Sequence, residues 1–209
     1  MIQNSAEIKV TTEGTGIKAS DSNINNENNG TIAVTKGVNI DLVGSYLENA
    51  ALLSNSDGIG INSDNSSVKN TGNIDIENGM GILAVSNSMI QNNAEIKVTT
   101  EGTGIKVSDS NVINESSGEI SVTKGVNIDL LASALENAAL LSNSDGIGIN
   151  ADNSTVKNTG DIDIINGTAI SASNGSTIQN TAYLKSGNTG INSEQSTVLN
   201  SGKIDAGEA

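Results

Sequence analysis

Several residue types are missing from this chain of 209 residues, which has no cysteine, histidine, proline, arginine, phenylalanine or tryptophan. Without cysteine or histidine there is no thiol nucleophile, no imidazole base and no zinc-finger ligand. The 10 basic residues, all lysine, face 24 acidic residues, and this formal charge of −14 disfavours nucleic acid as a partner. We therefore expect no catalytic site, no metal, no cofactor and no nucleic-acid partner.

Large apolar side chains are also scarce. The only aromatic residues are Tyr46 and Tyr183, so an ordinary thick globular core cannot form at this length. No apolar run reaches the roughly 18 residues of a membrane helix, so we expect a chain that does not itself span a membrane. Asparagine and glycine dominate instead, with 31 and 23 residues.

The chain repeats itself on two scales. Residues 1–88 return as residues 89–176 with 67 of 88 positions identical, and a partial third copy covers residues 177–209. We therefore expect a single repetitive segment over residues 1–209. Within each long copy, the motif Ser-x-Φ-x-Asn, where Φ is aliphatic, recurs every 20 to 23 residues.

Three residue types keep their places in almost every short repeat. The asparagine stands at Asn4, Asn26, Asn49, Asn70, Asn92, Asn114, Asn137, Asn158, Asn180 and Asn200. The serine stands at Ser22, Ser45, Ser66, Ser88, Ser110, Ser133, Ser154, Ser176 and Ser196. An isoleucine precedes Φ by seven or eight residues, at Ile17, Ile40, Ile61, Ile82, Ile105, Ile128, Ile149, Ile170 and Ile191.

This period predicts an all-β fold, a parallel β-solenoid of about ten coils with three short strands per coil. Each repeat carries stretches of alternating polarity, such as GIGINS, SSVKN and GNIDI, separated by turn residues. Stacking coils about 4.8 Å apart places each isoleucine on its equivalent in the next coil. The asparagine amides and the serine hydroxyls would form ladders along the same axis. This favours a structural role for these residues over a catalytic one.

One segment permits a different structure. Residues 41–53 (DLVGSYLENAALL) have apolar residues near helical spacing and, taken alone, indicate an amphipathic helix. They also keep the register of the other repeats at Ser45, Leu47 and Asn49, and this favours strands.

Three chemical alternatives are weaker. The acidic stretches 54–67 and 142–155 resemble calcium loops but lack the ligand spacing of either an EF-hand or a calcium-binding β-roll, so we interpret them as solvated turns. Ice binding would need threonine columns, and the VTTEGT and SVTKG stretches place none through consecutive coils.

A polysaccharide-acting enzyme would need paired carboxylates, and two pairs stand two residues apart: Asp75 with Glu77, and Asp161 with Asp163. Each pair should share one face of a strand. Their positions mostly recur as polar sites, and no arginine is present to hold a uronate. We therefore expect no enzyme activity.

The two long copies differ at positions that avoid the ladders. Glu77 against Ile165 and Met80 against Thr168 are examples, and such positions should lie on the surface or in turns. Tyr46 against Ala134 is the most notable, because an exposed aromatic is a natural anchor for a partner. Tyr46 is the candidate recognition residue, although the favoured interpretation is that it simply covers the flank of the solenoid.

The stretch GIGINSDNSSVKNTGNIDI and its relatives resemble the passenger repeats of large bacterial autotransporter adhesins, particularly the fusobacterial type. The resemblance covers nearly the whole chain. It implies a right-handed parallel β-helix at the extracellular surface of a bacterium. Because the signal peptide and membrane barrel of that family are missing from these residues, we expect a portion of a longer protein.

The resemblance implies a function in attachment. The first hypothesis is an adhesin passenger segment that serves as a rigid stalk or scaffold, with a protein or glycan on a host cell or another bacterium as partner. The second is an extracellular structural filament or matrix protein that self-associates end to end through its uncapped coils. The polysaccharide-acting enzyme is the third.

Overall fold

The computed structural model describes residues 1–207, which consist of β-strands joined by turns and contain no helix. Each of the first eight coils combines one short and one long strand. The short strands are β1 (Ile2–Asn4), β3 (Asn23–Asn26), β5 (Tyr46–Asn49), β7 (Ser67–Asn70), β9 (Met89–Asn92), β11 (Asn111–Asn114), β13 (Ala134–Asn137), β15 (Thr155–Asn158), β17 (Thr177–Asn180) and β20 (Thr197–Asn200). The long strands are β2 (Ile8–Ser20), β4 (Ile32–Val43), β6 (Leu53–Asp64), β8 (Ile74–Val85), β10 (Ile96–Ser108), β12 (Ile120–Leu131), β14 (Leu141–Asp152) and β16 (Ile162–Ser173). In the last two coils the long strand is reduced to β18 (Leu184–Ser186) with β19 (Thr189–Ser193), and to β21 (Ile204–Ala206).

All strands pair in parallel with their equivalents in the neighbouring coils. The short strands form a 10-stranded sheet in chain order and the long strands an 11-stranded sheet, in which β19 pairs with β16. This topology confirms the parallel β-solenoid of about ten coils. We number the coils one to ten by their short strands. The helical alternative for residues 41–53 is wrong, because this segment holds the end of β4, all of β5 and the start of β6.

The prediction of three strands per coil is not confirmed, because each of the first eight coils has two strands. The sequence pattern separates stretches of the GNIDI type from those of the GIGINS type, yet the IDI of GNIDI (residues 74–76) and GMGILA (residues 79–84), which is equivalent to GIGINS, belong to one strand, β8. The burial alternation of β8 is interrupted over residues 77–80, where Gly79 has φ +124°. A glycine in this conformation lets the chain turn without ending the ladder, so one long strand supplies two inward-facing segments.

The core consists of five columns of mainly aliphatic side chains. One comes from the short strands, such as Leu47 and Ile90, and four come from the long strands, as Ile74, Ile76, Ile82 and Ala84 of β8 illustrate. The predicted isoleucine column runs in register through the long strands, and Ile40, Ile61, Ile82, Ile105, Ile128, Ile149 and Ile170 are each 0% exposed. These narrow columns let a chain without phenylalanine or tryptophan bury an apolar interior.

Extra residues are absorbed outside the columns. The turns at Asn28–Asn29 and Ser116–Ser117 carry two additional residues each, and β2 and β10 are one residue longer than the other long strands. The extra strand residue shifts the register locally after Val10 and after Val98. The coils therefore keep their columns aligned although their lengths differ.

Candidate functional site

The asparagine ladder is the most extended polar feature of the molecule, and it confirms the prediction from the motif. Each asparagine Nδ2 donates to the Oδ1 of its equivalent in the next coil, from Asn4 to Asn200, over distances of 2.6 to 2.9 Å. The second Nδ2 hydrogen of Asn49 is also used, because Nδ2 donates to the carbonyl oxygen of Ala51 at 3.0 Å. Ladder amides from Asn26 to Asn180 are buried, so the bonds satisfy groups that water cannot reach.

A second ladder runs through the serines. The backbone N–H of Ser45 donates to the Oγ of Ser66 at 2.9 Å, and that Oγ donates to the carbonyl oxygen of Asp64 at 2.7 Å. The same inter-coil bond recurs without a gap from Ser22 to Ser196 at 2.9 to 3.2 Å. These hydroxyls act as turn-forming hydrogen-bond partners.

Two structural features were not predicted from the sequence, a glycine column and a buried amide pair. A glycine lies three residues before the isoleucine in eight successive coils, at Gly14, Gly37, Gly58, Gly79, Gly102, Gly125, Gly146 and Gly167. A Cβ added to Gly79 would overlap the carbonyl oxygen of Gly58, and each later member meets the glycine before it in the same way. The constant spacing to the isoleucine was the signal that could have revealed this column.

The second missed feature is a buried amide pair in each long copy. Asn39 Nδ2 donates to the carbonyl oxygens of Ile32 and Ser54 at 2.7 and 2.8 Å, and Asn55 Nδ2 donates to Asn39 Oδ1 at 2.9 Å. Asn127 and Asn143 repeat this arrangement. The sequence signal that could have revealed this pair is the asparagine of the VNI stretches, which directly precedes the column isoleucine at a position where most other coils have glycine.

The carboxylate pairs do not form a common site. Asp161 lies in the turn before β16, so the prediction that it shares a strand face with Asp163 is wrong, and its Oδ1 accepts from the backbone N–H of Tyr183 at 3.1 Å. Asp163 instead pairs with Lys185, at 3.1 Å. Asp75 and Glu77 are both exposed in β8, at the rim of an open groove that also includes Lys9.

The acidic stretches lie at the surface of two long strands and the turns that follow. Asn55 Oδ1 accepts from the backbone N–H of Asp57 at 3.1 Å, and Asp145 bonds Asn143 in the same way. Residues 1–207 contain no group of three or more acidic side chains arranged to hold a metal ion. No helix in this part of the chain is long and apolar enough to cross a membrane.

The statement that no threonine column runs through consecutive coils is wrong. Thr155, Thr177 and Thr197 are aligned in three successive short strands, and all three are exposed. The VTTEGT and SVTKG stretches lie in the long strands, whereas this column lies on the short ones. The residues beside it are Lys157, Gln179 and Leu199, so no second threonine rank accompanies it.

The two tyrosines both lie at the surface. Tyr46 is 39% exposed and its hydroxyl donates to Glu48 Oε1 at 3.0 Å. Partial burial and this hydrogen bond raise the pKa of Tyr46 above its usual value. Tyr183 donates to Asp205 Oδ2 at 3.0 Å, and the Nζ of Lys203 lies 4.9 Å from the centre of its ring. Neither ring forms part of the core.

The outer face of the short-strand sheet differs from the rest of the molecule in charge. We call it the short-strand face, and it consists of Gln3, Asn23, Asn25, Tyr46, Glu48, Ser67, Lys69, Met89, Gln91, Asn111, Ile113, Ala134, Glu136, Thr155, Lys157, Thr177, Gln179, Thr197 and Leu199. Two glutamates and two lysines make it electrically neutral. Of the 24 acidic and 10 basic residues, the remaining 22 and 8 lie elsewhere, so the whole formal charge of −14 lies outside this face.

Comparison of the chain with protein-family models, with curated proteins and with solved structures finds no match.

Proposed function

We propose that this chain is a segment of a bacterial cell-surface adhesin of the autotransporter type, in which it serves as a rigid stalk for attachment to host cells or other bacteria. The observation that carries the proposal is the asparagine ladder, which links ten coils through nine inter-coil amide bonds. A solenoid in which every coil is bonded to the next resists bending and local opening. The resemblance of the repeats to autotransporter passengers supports the extracellular location.

The surface chemistry fits a spacer. Of the candidate catalytic carboxylates, Asp163 is paired with Lys185 and Asp161 lies outside the strand, whereas Asp75 and Glu77 are both exposed to solvent on the outer face of β8. The serines and asparagines of the repeat motif are used in ladders. We infer that these coils carry no enzyme activity and that their length is what matters. At about 4.8 Å per coil, ten coils extend roughly 45 Å.

A display experiment tests this function. The chain is placed on a bacterial surface between a membrane anchor and a small binding domain of known target, and adhesion to the immobilised target is measured. A stalk keeps this adhesion when outward residues are shuffled and every ladder residue is retained, and loses it when ladder asparagines are replaced by alanine. Without the binding domain, adhesion to host cells, partner bacteria and a glycan panel should be equal for the parent and the shuffled variant. If the chain adheres without the binding domain, and shuffling the outward residues abolishes that adhesion, then recognition would instead be assigned to these coils. Tyr46 would be the first residue to examine.

We also propose that the coils wind in the right-handed sense. Consecutive strands of the short-strand sheet are parallel neighbours joined through the other sheet, and such crossovers are right-handed in about 98% of cases. An experimental density map that resolves the strands would test the hand directly.

A second candidate function is an end-to-end filament or matrix protein. It is favoured by the polarity of the asparagine ladder, in which every amide donates toward the following coil. A stack with this polarity is complementary head to tail. Open-ended oligomers that lengthen with concentration would support the filament, and a monomer at all concentrations would contradict it.

A further inference from the structure

The short-strand face is a surface on which two copies of this acidic chain can meet without net charge repulsion. Its side chains sum to zero charge, whereas the rest of the chain carries the full −14. It also exposes apolar side chains, because Tyr46, Met89 and Leu199 are 39%, 49% and 61% exposed. A neutral and partly apolar face on a strongly charged molecule marks an interaction surface.

The two halves of this face have complementary relief. Tyr46 and Met89 project from coils three and five. The residues 88 positions later, in coils seven and nine, are the smaller Ala134 and Thr177. These small residues, with Thr155 between them, line a groove of about 420 Å³ that extends over coils six to ten. Coils three to five therefore present a ridge, and coils seven to nine present the floor of a groove.

The charges on this face occur as two ion pairs with the same order along the axis. Lys69 lies 3.4 Å from Glu48, and Lys157 lies 3.9 Å from Glu136. The pairs occupy coils three and four, and coils seven and eight. An antiparallel arrangement reverses the order of one pair relative to the other, so each glutamate then meets a lysine.

We propose that a second copy of this chain docks antiparallel on the short-strand face, related by a two-fold axis between coils five and six. In this arrangement coil three lies over coil eight of the partner copy, and coil four over coil seven. Glu48 then faces Lys157, Lys69 faces Glu136, and Tyr46 enters the groove at Thr155. The two-fold axis makes each of these contacts twice.

The size of the face sets the strength of the dimer. Ten strands about 4.8 Å apart, each presenting about 13 Å of its length, cover roughly 600 Å² per copy. The total of about 1,200 Å² lies at the low end of specific interfaces, so the dimer should be weak and reversible. This inference goes beyond the stalk function and does not depend on it.

Paired charge swaps test the arrangement. One variant exchanges the first pair (Glu48→Lys with Lys69→Glu), and another exchanges the second pair (Glu136→Lys with Lys157→Glu). Each variant keeps the net charge of the chain and the ion pair within it. In a homodimer, however, each variant places lysine against lysine and glutamate against glutamate. A mixture of the two variants restores every opposite pairing.

Sedimentation equilibrium of the whole chain measures the result. The parent should dimerise with a Kd of about 10 to 100 μM, weakened by salt. Each swap alone should raise the Kd at least about tenfold, and the mixture should recover it to within about threefold as a heterodimer. Tyr46→Ala should also raise the Kd about tenfold, because it removes the anchor.

The matched control exchanges Lys106 and Asp129, an ion pair at 3.1 Å on the long-strand sheet, and should dimerise like the parent. Equal thermal melting of all variants shows that they fold. A parent that stays monomeric, or single swaps that dimerise as well as the parent, would overturn the proposal. Open-ended oligomers that form equally well in the parent and in the swap variants would show that the chains associate through the ends of the solenoid. That result would also overturn the proposal.

Discussion

At the scale of single residues, the ladder amides are the positions where a small change has the largest polar cost. Asn70 is 0% exposed, accepts from Asn49 at 2.7 Å and donates to Asn92 at 2.9 Å. Replacing it by alanine would leave one buried donor and one buried acceptor without partners. Each such group costs about 1–3 kcal/mol.

Asn70→Ala should therefore lower the free energy of unfolding by about 2–4 kcal/mol. Chemical denaturation followed by circular dichroism measures the change. The control is Asn73→Ala, three residues away in an exposed turn, which should stay within about 0.5 kcal/mol of the parent. Equal losses of unfolding free energy for the two substitutions would show that the ladder side chains add no stability beyond that of the backbone hydrogen bonds.

The turn before each ladder serine needs a left-handed residue, and the two long copies meet this need differently. Gly44 has φ +57° in the first copy, whereas the equivalent Ala132 has φ +49° in the second. A non-glycine residue in this region is strained by about 1–2 kcal/mol. Ala132→Gly should therefore raise the free energy of unfolding by about 0.5–1 kcal/mol after the entropy cost of glycine.

The reciprocal substitution provides the comparison for this turn. Gly44→Ala should destabilise the chain by about 1 kcal/mol or more, because it introduces the strain that Ala132 already carries. Thermal melting under one set of conditions measures both variants. Stabilisation by Gly44→Ala would contradict the left-handed geometry of the turn.

At the scale of the element, the long strand depends on its central glycine. Gly79 combines a φ of +124° with close packing on the carbonyl of Gly58, so a side chain there meets both backbone strain and overlap. Gly79→Ala should lower the free energy of unfolding by about 2–4 kcal/mol. The control is Gly175→Ala, which has φ +83° but no atom within 4 Å of the added Cβ, and so incurs strain alone. A smaller loss at Gly79 than at Gly175 would show that the column has no packing role.

The sequence allowed the repeating elements to be predicted but not their joins. The constant spacing of serine, Φ and asparagine placed every short strand, because a parallel stack requires equivalent residues to align. It did not show that residues 74–76 and 79–84 belong to one strand, because a glycine is typical of both a turn and a bend within a strand. Asn39 was missed for a related reason, since nothing in its polarity distinguishes a buried, fully bonded amide from an exposed one.

At the scale of the whole molecule, charge explains why the sequence does not repeat identically in every coil. A parallel stack of identical coils would place like charges about 4.8 Å apart along every column. Here eight of the ten lysines (Lys18, Lys36, Lys69, Lys97, Lys106, Lys124, Lys157 and Lys185) instead face an acidic residue in a neighbouring coil. One column reads Glu13, Lys36, Asp57 and Asn78, and then repeats as Glu101, Lys124, Asp145 and Asn166. Four different coils are thus the unit that keeps unlike charges adjacent.

A single charge reversal tests this explanation. Lys124 lies 3.3 Å from Glu101 and is in register with Asp145, so Lys124→Glu would align three acidic residues. The variant should lose about 1 kcal/mol at low ionic strength, and most of that loss should disappear in about 1 M salt. Lys9→Glu is the control, because Lys9 faces Ala33 in the next coil. A loss for Lys124→Glu that salt does not reduce would rule out repulsion along the column.

The four-coil unit should also be removable as a whole. Deleting residues 89–176 joins Ser88 to Thr177, which begins the third copy, so Asn70 would stack on Asn180 and all columns would stay aligned. We expect a folded solenoid that small-angle X-ray scattering finds shorter by about 19 Å, four coils at about 4.8 Å each. A second deletion, of residues 100–176, removes fewer residues but joins Thr99 to Thr177 and so cuts β10 after its fourth residue. That coil cannot close, and the shorter deletion should therefore be the more destabilising one. If the variant that lacks residues 89–176 had a lower melting temperature than the variant that lacks residues 100–176, stability would not be set by the stacking of complete coils.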